Sequence, residues 1–266
     1  MMAVRLRFLT LFLLAGSLLA RGQDLRTGTA LPGDRFLAAG ECLMWMDSEG
    51  QVVRKRPLEQ PVAALAAVGN RWYALAADGR ELLRLDPNGV VAGREKLPAK
   101  GRLRALAADG NTLWVATDAG EILHREGTSE WTVLDFNEQY AGYYPRMAFR
   151  AVAAGGGSVM VAGSRPDGTP AVFTSARGSV WNERTLDYSE QGGSRTFSAV
   201  VMGLCYDGVQ DRFYLQGSEG MELALPGCSH CNSLTRYPVD TLYARIPGSI
   251  SSLLLGSDGF RRMESR

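Results

Sequence analysis

Beyond residue 61 the chain alternates short apolar runs with turns built on Gly, Asp and Asn, and the alternation repeats. "VAALAAVGNRWYALAADGRELLRLDPNGVV" starts at Val62 and "LRALAADGNTLWVATDAGEILHREGTSEWTVL" at Leu103. Each reads as an apolar strand, a Gly turn, a strand with a bulky centre (Trp72 and Tyr73, or Leu113, Trp114 and Val115), an Asp/Gly turn, an amphipathic strand, a further turn and a last strand. Runs of about five to eight residues bounded by such turns predict strands. No segment after residue 22 keeps the apolar period of roughly 3.6 residues that marks a helix.

The register continues in weaker form from Phe149 ("FRAVAAGGGSVMVAGSRPDGTPAVFTSARGSVWNERTL"), from Phe197 ("FSAVVMGLCYDGVQDRFYLQGSEGMELALPGC") and from Leu242 ("LYARIPGSISSLLLGSDGFRRM"). Near the N-terminus, "RFLAAGECLMWMDSEGQVVRKRPL" aligns with the unit at Trp72 and lacks a first strand. Six units of about 40 to 50 residues result, a period that marks a β-propeller. A single four-stranded sheet cannot bury both faces, and ring closure gives each sheet two neighbours. The expectation is an all-β fold, a β-propeller of six blades with four antiparallel strands each, in one domain over residues 23–266. Five blades is the alternative count, reached if the two incomplete terminal units combine.

The first 22 residues have a different pattern. Arg5 and Arg7 precede an apolar run from Phe8 to Ala20, and small residues at Ala20 and Gly22 suit cleavage before Gln23. The run is 13 residues long, short of the about 20 that span a bilayer. A removed secretory signal is expected, with a secreted or periplasmic mature chain and no membrane span in it. Its removal takes the formal charge from +1 to −2, so the concentrated basic surface that nucleic acid binding requires is not expected.

Two connections echo each other: "LDFNEQ" at Leu134 and "LDYSEQ" at Leu186. Both follow the last strand of one unit and precede the first strand of the next, so Asp135 and Asp187, Glu138 and Glu190, Gln139 and Gln191, and Arg146 and Arg195 are expected at matching places. The bland reading gives them structural roles in turns. The functional reading makes the face they share a partner surface, because binding residues gather on loops carried by a rigid scaffold. The first connection adds "YAGYYP", which sets Tyr140, Tyr143 and Tyr144 beside Arg146 in a composition typical of interaction hot spots. The candidate partner-binding residues are therefore Tyr140, Tyr143, Tyr144, Arg146, Tyr188 and Arg195.

The units resemble the blades of secreted BNR/Asp-box and YCF48-like β-propellers, in which an S-x-D-x-G-x-x-W hairpin joins the third and fourth strands. "TSARGSVW" from Thr174 keeps the hydroxyl, Gly178 and Trp181 and has Ala176 in the Asp position; "REGTSEW" from Arg125 keeps the final Trp131 and shifts Gly127 by one residue. The resemblance implies a structural hairpin and leaves function open, since it covers both sialidase-type glycosidases and binding or assembly proteins. A glycosidase would need an arginine cluster gripping a carboxylate, and no three arginines are assigned to matching blade positions.

Other chemistry is sparse. The only histidines are His124, expected on the solvent side of a strand, and His230. Four cysteines occur, with Cys228 and Cys231 in "PGCSHCNS". In an oxidising compartment a local disulfide between these two is favoured. A metal site with His230, which would need outside ligands, and thiol redox catalysis are the alternatives. Cys42 and Cys205 fall in strands. The Asp/Gly turns offer too few carboxylates for calcium and match hairpin chemistry. No metal or cofactor is expected. The favoured reading is a non-catalytic protein-binding or assembly module, with a glycan ligand possible. The alternative is an enzyme, sialidase-like or thiol-active through Cys228 and Cys231.

Overall fold

The computed structural model describes residues 25–31, 35–47, 51–208, 210–226, 231–236, 245–246, 251–256 and 259–264. The chain is an all-β propeller of antiparallel sheets. The first blade comprises β1 (Leu25–Leu31), β2 (Arg35–Gly40), β3 (Cys42–Met46) and β4 (Val52–Pro57); the second, β5 (Val62–Val68), β6 (Arg71–Ala76), β7 (Leu82–Leu85) and β8 (Val91–Glu95). The third holds β9 (Leu103–Asp109), β10 (Thr112–Thr117), β11 (Glu121–Glu126) and β12 (Thr132–Asp135); the fourth, β13 (Ala148–Gly155), β14 (Ser158–Ser164), β15 (Pro170–Ala176) and β16 (Asn182–Glu183). A hairpin of β17 (Asp187–Glu190) and β18 (Gly193–Thr196) precedes the fifth blade, which comprises β19 (Val201–Asp207), β20 (Arg212–Gly217), β21 (Met221–Leu225) and β22 (Ser233–Arg236). Last comes a three-stranded sheet of β23 (Arg245–Ile246), β24 (Ser251–Gly256) and β25 (Gly259–Glu264), with β23 against β1.

Five sheets are thus complete four-stranded blades among the described residues, which is the alternative count, and the expected sixth unit is three-stranded. The first strand missing from the N-terminal repeat is β1. Its sequence, "LRTGTAL", carries too few large apolar residues to read as a strand. Its place is secured from outside: the Leu65 amide on β5 donates to the Thr27 hydroxyl at 3.1 Å.

Composition follows the geometry of the ring. First strands crowd together near the axis, and their Ala-rich sequences, "VAALAAV" and "AFRAVAAG", are what fits there. Bulk sits further out, where blades diverge. Trp45 and Trp72 fill the space between the first two blades, Tyr73 and Leu113 the next, Phe136, Phe149, Phe173 and Trp181 the third, and Phe197 and Phe213 the fourth.

Two local expectations are corrected. His124 is half-buried rather than solvent-facing, its ring stacked on Trp114 with centroids 4.7 Å apart, and burial lowers its pKa below the ordinary 6.5. The two echoing connections occupy equivalent places but fold differently. Phe136–Gln139 forms a short helix, α1, whose N-cap Asp135 accepts from the Glu138 amide at 3.0 Å. In the second copy, Gln191 (φ 50°) and Gly192 (φ 80°) make a two-residue turn. Successive positive φ values match the right-handed twist of paired strands, so Asp187–Glu190 becomes a hairpin strand and Asp187 accepts from the Thr196 hydroxyl across it.

Candidate functional site

Every complete blade interrupts its first strand at the same point. Val62 opposes Ala76 and Ala64 opposes Leu75, leaving Ala63 out of register. The same skip leaves out Arg104 on β9, Arg150 on β13 and Met202 on β19, and the skip on β1 falls at Arg26. Such a bulge re-aims a side chain out of the ladder. All five lie where the chain enters a blade from the previous connection, so they share one mouth of the axial channel. The channel has a volume of about 260 Å³ and is lined by the first strands.

The bulge residues present different chemistry there. Arg104 is neutralised, its Nε and Nη2 donating to Asp118 Oδ2 at 3.0 and 2.7 Å. Arg150 is exposed and has no hydrogen-bond or ion-pair partner among the described residues. Met202 is 55% exposed, and Val200 beside it is 50% exposed. At the opposite end Tyr206 donates to Asp211 Oδ1 at 2.6 Å, and that bond pushes its pKa up to about 12.

The connection from 135 to 147 rises beside this mouth and is tied down from inside. The Asn137 amide donates to the Ala119 carbonyl at 2.9 Å and the Met147 carbonyl at 3.0 Å, and its oxygen accepts from the Met147 amide at 2.7 Å. Phe136 is fully buried, with ring centroids 4.7 Å from Tyr140 and 5.9 Å from Tyr144. Tyr140 is also bound through its hydroxyl, which accepts from the Trp181 amide at 3.1 Å. Two of the three expected loop tyrosines therefore serve the core, because stacking on Phe136 removes more apolar surface from water than exposure would. Tyr143 is the exception at 82% exposed, and Arg146 is exposed near it.

The other two candidates separate. Tyr188 is 6% exposed and packs in the core with Phe197 and Phe213, so its ring is not at a surface. Arg195 stays out on the hairpin, where its Nε pairs with Glu190 at 3.1 Å while Arg236 holds the other Glu190 oxygen at 3.2 Å.

Neighbouring charges also serve the scaffold. Buried Glu121 accepts from the Lys100 and Gly101 amides at 2.9 and 3.0 Å, shaping the connection from β8 to β9. Lys100 Nζ donates to Asp135 at 2.8 Å, which holds the Asp135 carboxyl below its usual range and the ammonium above its own. In the turn "SRPDGTP" Asp167 accepts from the Thr169 amide at 2.9 Å and hydroxyl at 2.7 Å, which lowers its pKa. These bonds give the turn carboxylates hairpin roles.

Of the cysteine cluster, Cys228 and His230 lie outside the described residues, and Cys231 is exposed. The next residue, Asn232, is buried and donates to the Thr185 and Asp187 carbonyls at 2.9 and 3.0 Å. Cys42 is buried in β3, where desolvation pushes its thiol up, and Cys205 lines the channel. No group of three or more His, Cys, Asp or Glu able to hold a metal occurs among the described residues.

Sequence reasoning missed the bulge arginines. Their signal was present as the second residue of "LRTG", "LRAL" and "FRAV", and it does set Arg26, Arg104 and Arg150 at matching blade positions, contrary to expectation.

No protein-family model matches the sequence, and no curated protein matches it. Solved structures do. Virginiamycin B lyase from Staphylococcus aureus is similar at 9% identity and a TM-score of 0.61, over 91% of this chain and 84% of that one. The Pan2 WD40 domain of Neurospora crassa matches at 10% identity and 0.56, over 86% and 71%. YCF48 from Cyanidioschyzon merolae matches at 13% identity and 0.54, over 90% and 94%. At these identities the likeness establishes the fold: the chain belongs to the structural class of β-propellers, YCF48 among its neighbours. The Asp-box itself is not found. In "TSARGSVW" the turn is made by Arg177 (φ 63°) and Gly178 (φ 77°), with Ala176 in the place of the Asp.

Proposed function

We propose that this protein is an exported protein-binding or assembly module that holds its partner at the channel mouth and on the connection beside it. The observation that carries this reading is the shared bulge, which brings Arg150, unpaired among the described residues, to the same mouth as exposed Met202, at the end of the ring where the connection carrying exposed Tyr143 and Arg146 enters the fourth blade. A free cation beside exposed apolar and aromatic groups suits a protein segment that combines a carboxylate with apolar side chains. WD40 domains among the structural neighbours support an interaction role. Export rests on the pattern of residues 1–22, and the lack of net positive charge in the mature chain favours protein over nucleic acid.

The test is affinity capture from the native cell envelope with the wild-type chain and with Tyr143→Ala/Arg150→Glu. Both side chains are exposed, so the fold is retained. A partner held by wild type and released by the variant supports the site. Equal capture by both removes the mouth from the binding surface.

A further inference from the structure

A second concentration of positive charge lies between the second and third blades, on a flank of the ring. Arg71, Arg84 and Arg125 line one cleft of about 350 Å³ together with Tyr73, Glu95 and Thr128. Strand register explains how they meet. Tyr73 opposes Arg84, Leu82 opposes Glu95 and Leu113 opposes Arg125. Tyr73, Leu82 and Leu113 all belong to the core between these two blades. Opposed residues share a face, so the second blade sends Arg71 and Arg84 toward the third, which returns Arg125.

The three guanidinium groups are in different states. Arg125 is fixed: its Nη1 donates to both Glu95 oxygens at 2.9 Å and its guanidinium lies 4.5 Å from the Trp131 ring centroid. Trp131 Nε1 completes the lock by donating to Glu95 at 2.7 Å. Among the described residues, the one carboxylate lining the cleft is thereby committed. Arg84 lies along Gly93 and makes one long bond, 3.4 Å, to the Ala92 carbonyl. Arg71 is exposed and has no hydrogen-bond or ion-pair partner among the described residues. Arg94, which also lines the cleft, is committed to Glu59 and Glu81 at 2.9 and 3.3 Å.

We propose that this cleft binds a small molecule bearing a tetrahedral oxyanion, a phosphate or sulfate ester, with Arg71 and Arg84 donating to its oxygens. Guanidinium groups offer paired donors that match such oxygens, and an anionic group relieves the repulsion between cations sharing one cleft. The volume is that of a small-ligand site, not of a protein segment.

Calorimetric titration of the full folded chain at low salt with inorganic phosphate, inorganic sulfate, glucose 6-phosphate, glucose 6-sulfate and acetate tests the proposal. Saturable binding of a phosphate or sulfate species is expected, weakened at least about ten-fold by Arg71→Gln/Arg84→Gln. The surface control Lys55→Gln should leave it within about two-fold. Preference for the hexose phosphate, strengthening as pH rises through about 6, identifies a phosphate ester, and a pH-independent preference for the hexose sulfate identifies a sulfate ester. Absence of saturation, acetate binding as tightly as phosphate, or equal losses in Lys55→Gln would overturn the assignment. Unchanged thermal unfolding of the double variant keeps a loss of binding separate from a loss of fold.

Discussion

His124 shows how one side chain changes meaning between sequence and fold. In "EILHREG" it reads as the exposed member of an amphipathic strand; in the structure it lies opposite Trp114 on the adjacent strand, whose ring stacks against it. Burial disfavours the charged imidazole, so the folded pKa lies below the unfolded 6.5. Its contribution to stability is complete above 6.5 and declines as pH falls toward the lower folded value, because the unfolded chain takes up the proton first. Denaturant midpoints measured from about pH 7.5 down to about pH 5 should fall for wild type, and His124→Gln should flatten that slope. An equal slope in the variant would assign the effect elsewhere. The tyrosines teach the same lesson. Composition marked three as a surface cluster, yet the rings of Tyr140 and Tyr144 rest on Phe136 and leave only Tyr143 in solvent.

Among elements, the strands were the legible part and the connections were not. A short apolar run between turn residues marks a strand covered on both faces, as in β3, β6 and β10, and that signal is local. A connection is decided by a few contacts. "LDFNEQ" and "LDYSEQ" match in most positions, yet one becomes a helix over buried Phe136 and the other a hairpin around Gln191 and Gly192. Gly120 is the hinge of the first case. It has φ +82°, and a Cβ there would stand 2.1 Å from Asn137 Nδ2, the group that ties down the 135 to 147 connection. Gly120→Ala should cost more than about 1 kcal/mol and speed amide exchange over residues 136–147. Gly69→Ala, also at positive φ (+55°) but with open space around its Cβ, should cost less. Equal penalties would show that backbone strain alone sets the cost.

At the scale of the whole molecule, stability depends on each blade finding its neighbour. The bond from the Leu65 amide to the Thr27 hydroxyl joins first strands of adjacent blades. Thr27→Val preserves shape and leaves that amide unsatisfied, so unfolding should shift by about 1 to 3 kcal/mol while remaining a single transition. Two resolved transitions would show that the first blade opens independently.

The amino-acid sequence by itself determined that the chain is built of repeated antiparallel strands, that these form a propeller, and that its charge is nearly balanced. Those properties follow from period, turn residues and composition, which are local or summed quantities. Tertiary structure alone decided that β1 completes the first blade, that bulges bring Arg104, Arg150 and Met202 to one mouth, and that Arg71, Arg84 and Arg125 share a cleft. The physical reason is that each depends on residues tens of positions apart meeting across a ring. Such meetings are set by strand register and blade packing together, and neither quantity is written in any single stretch of the chain.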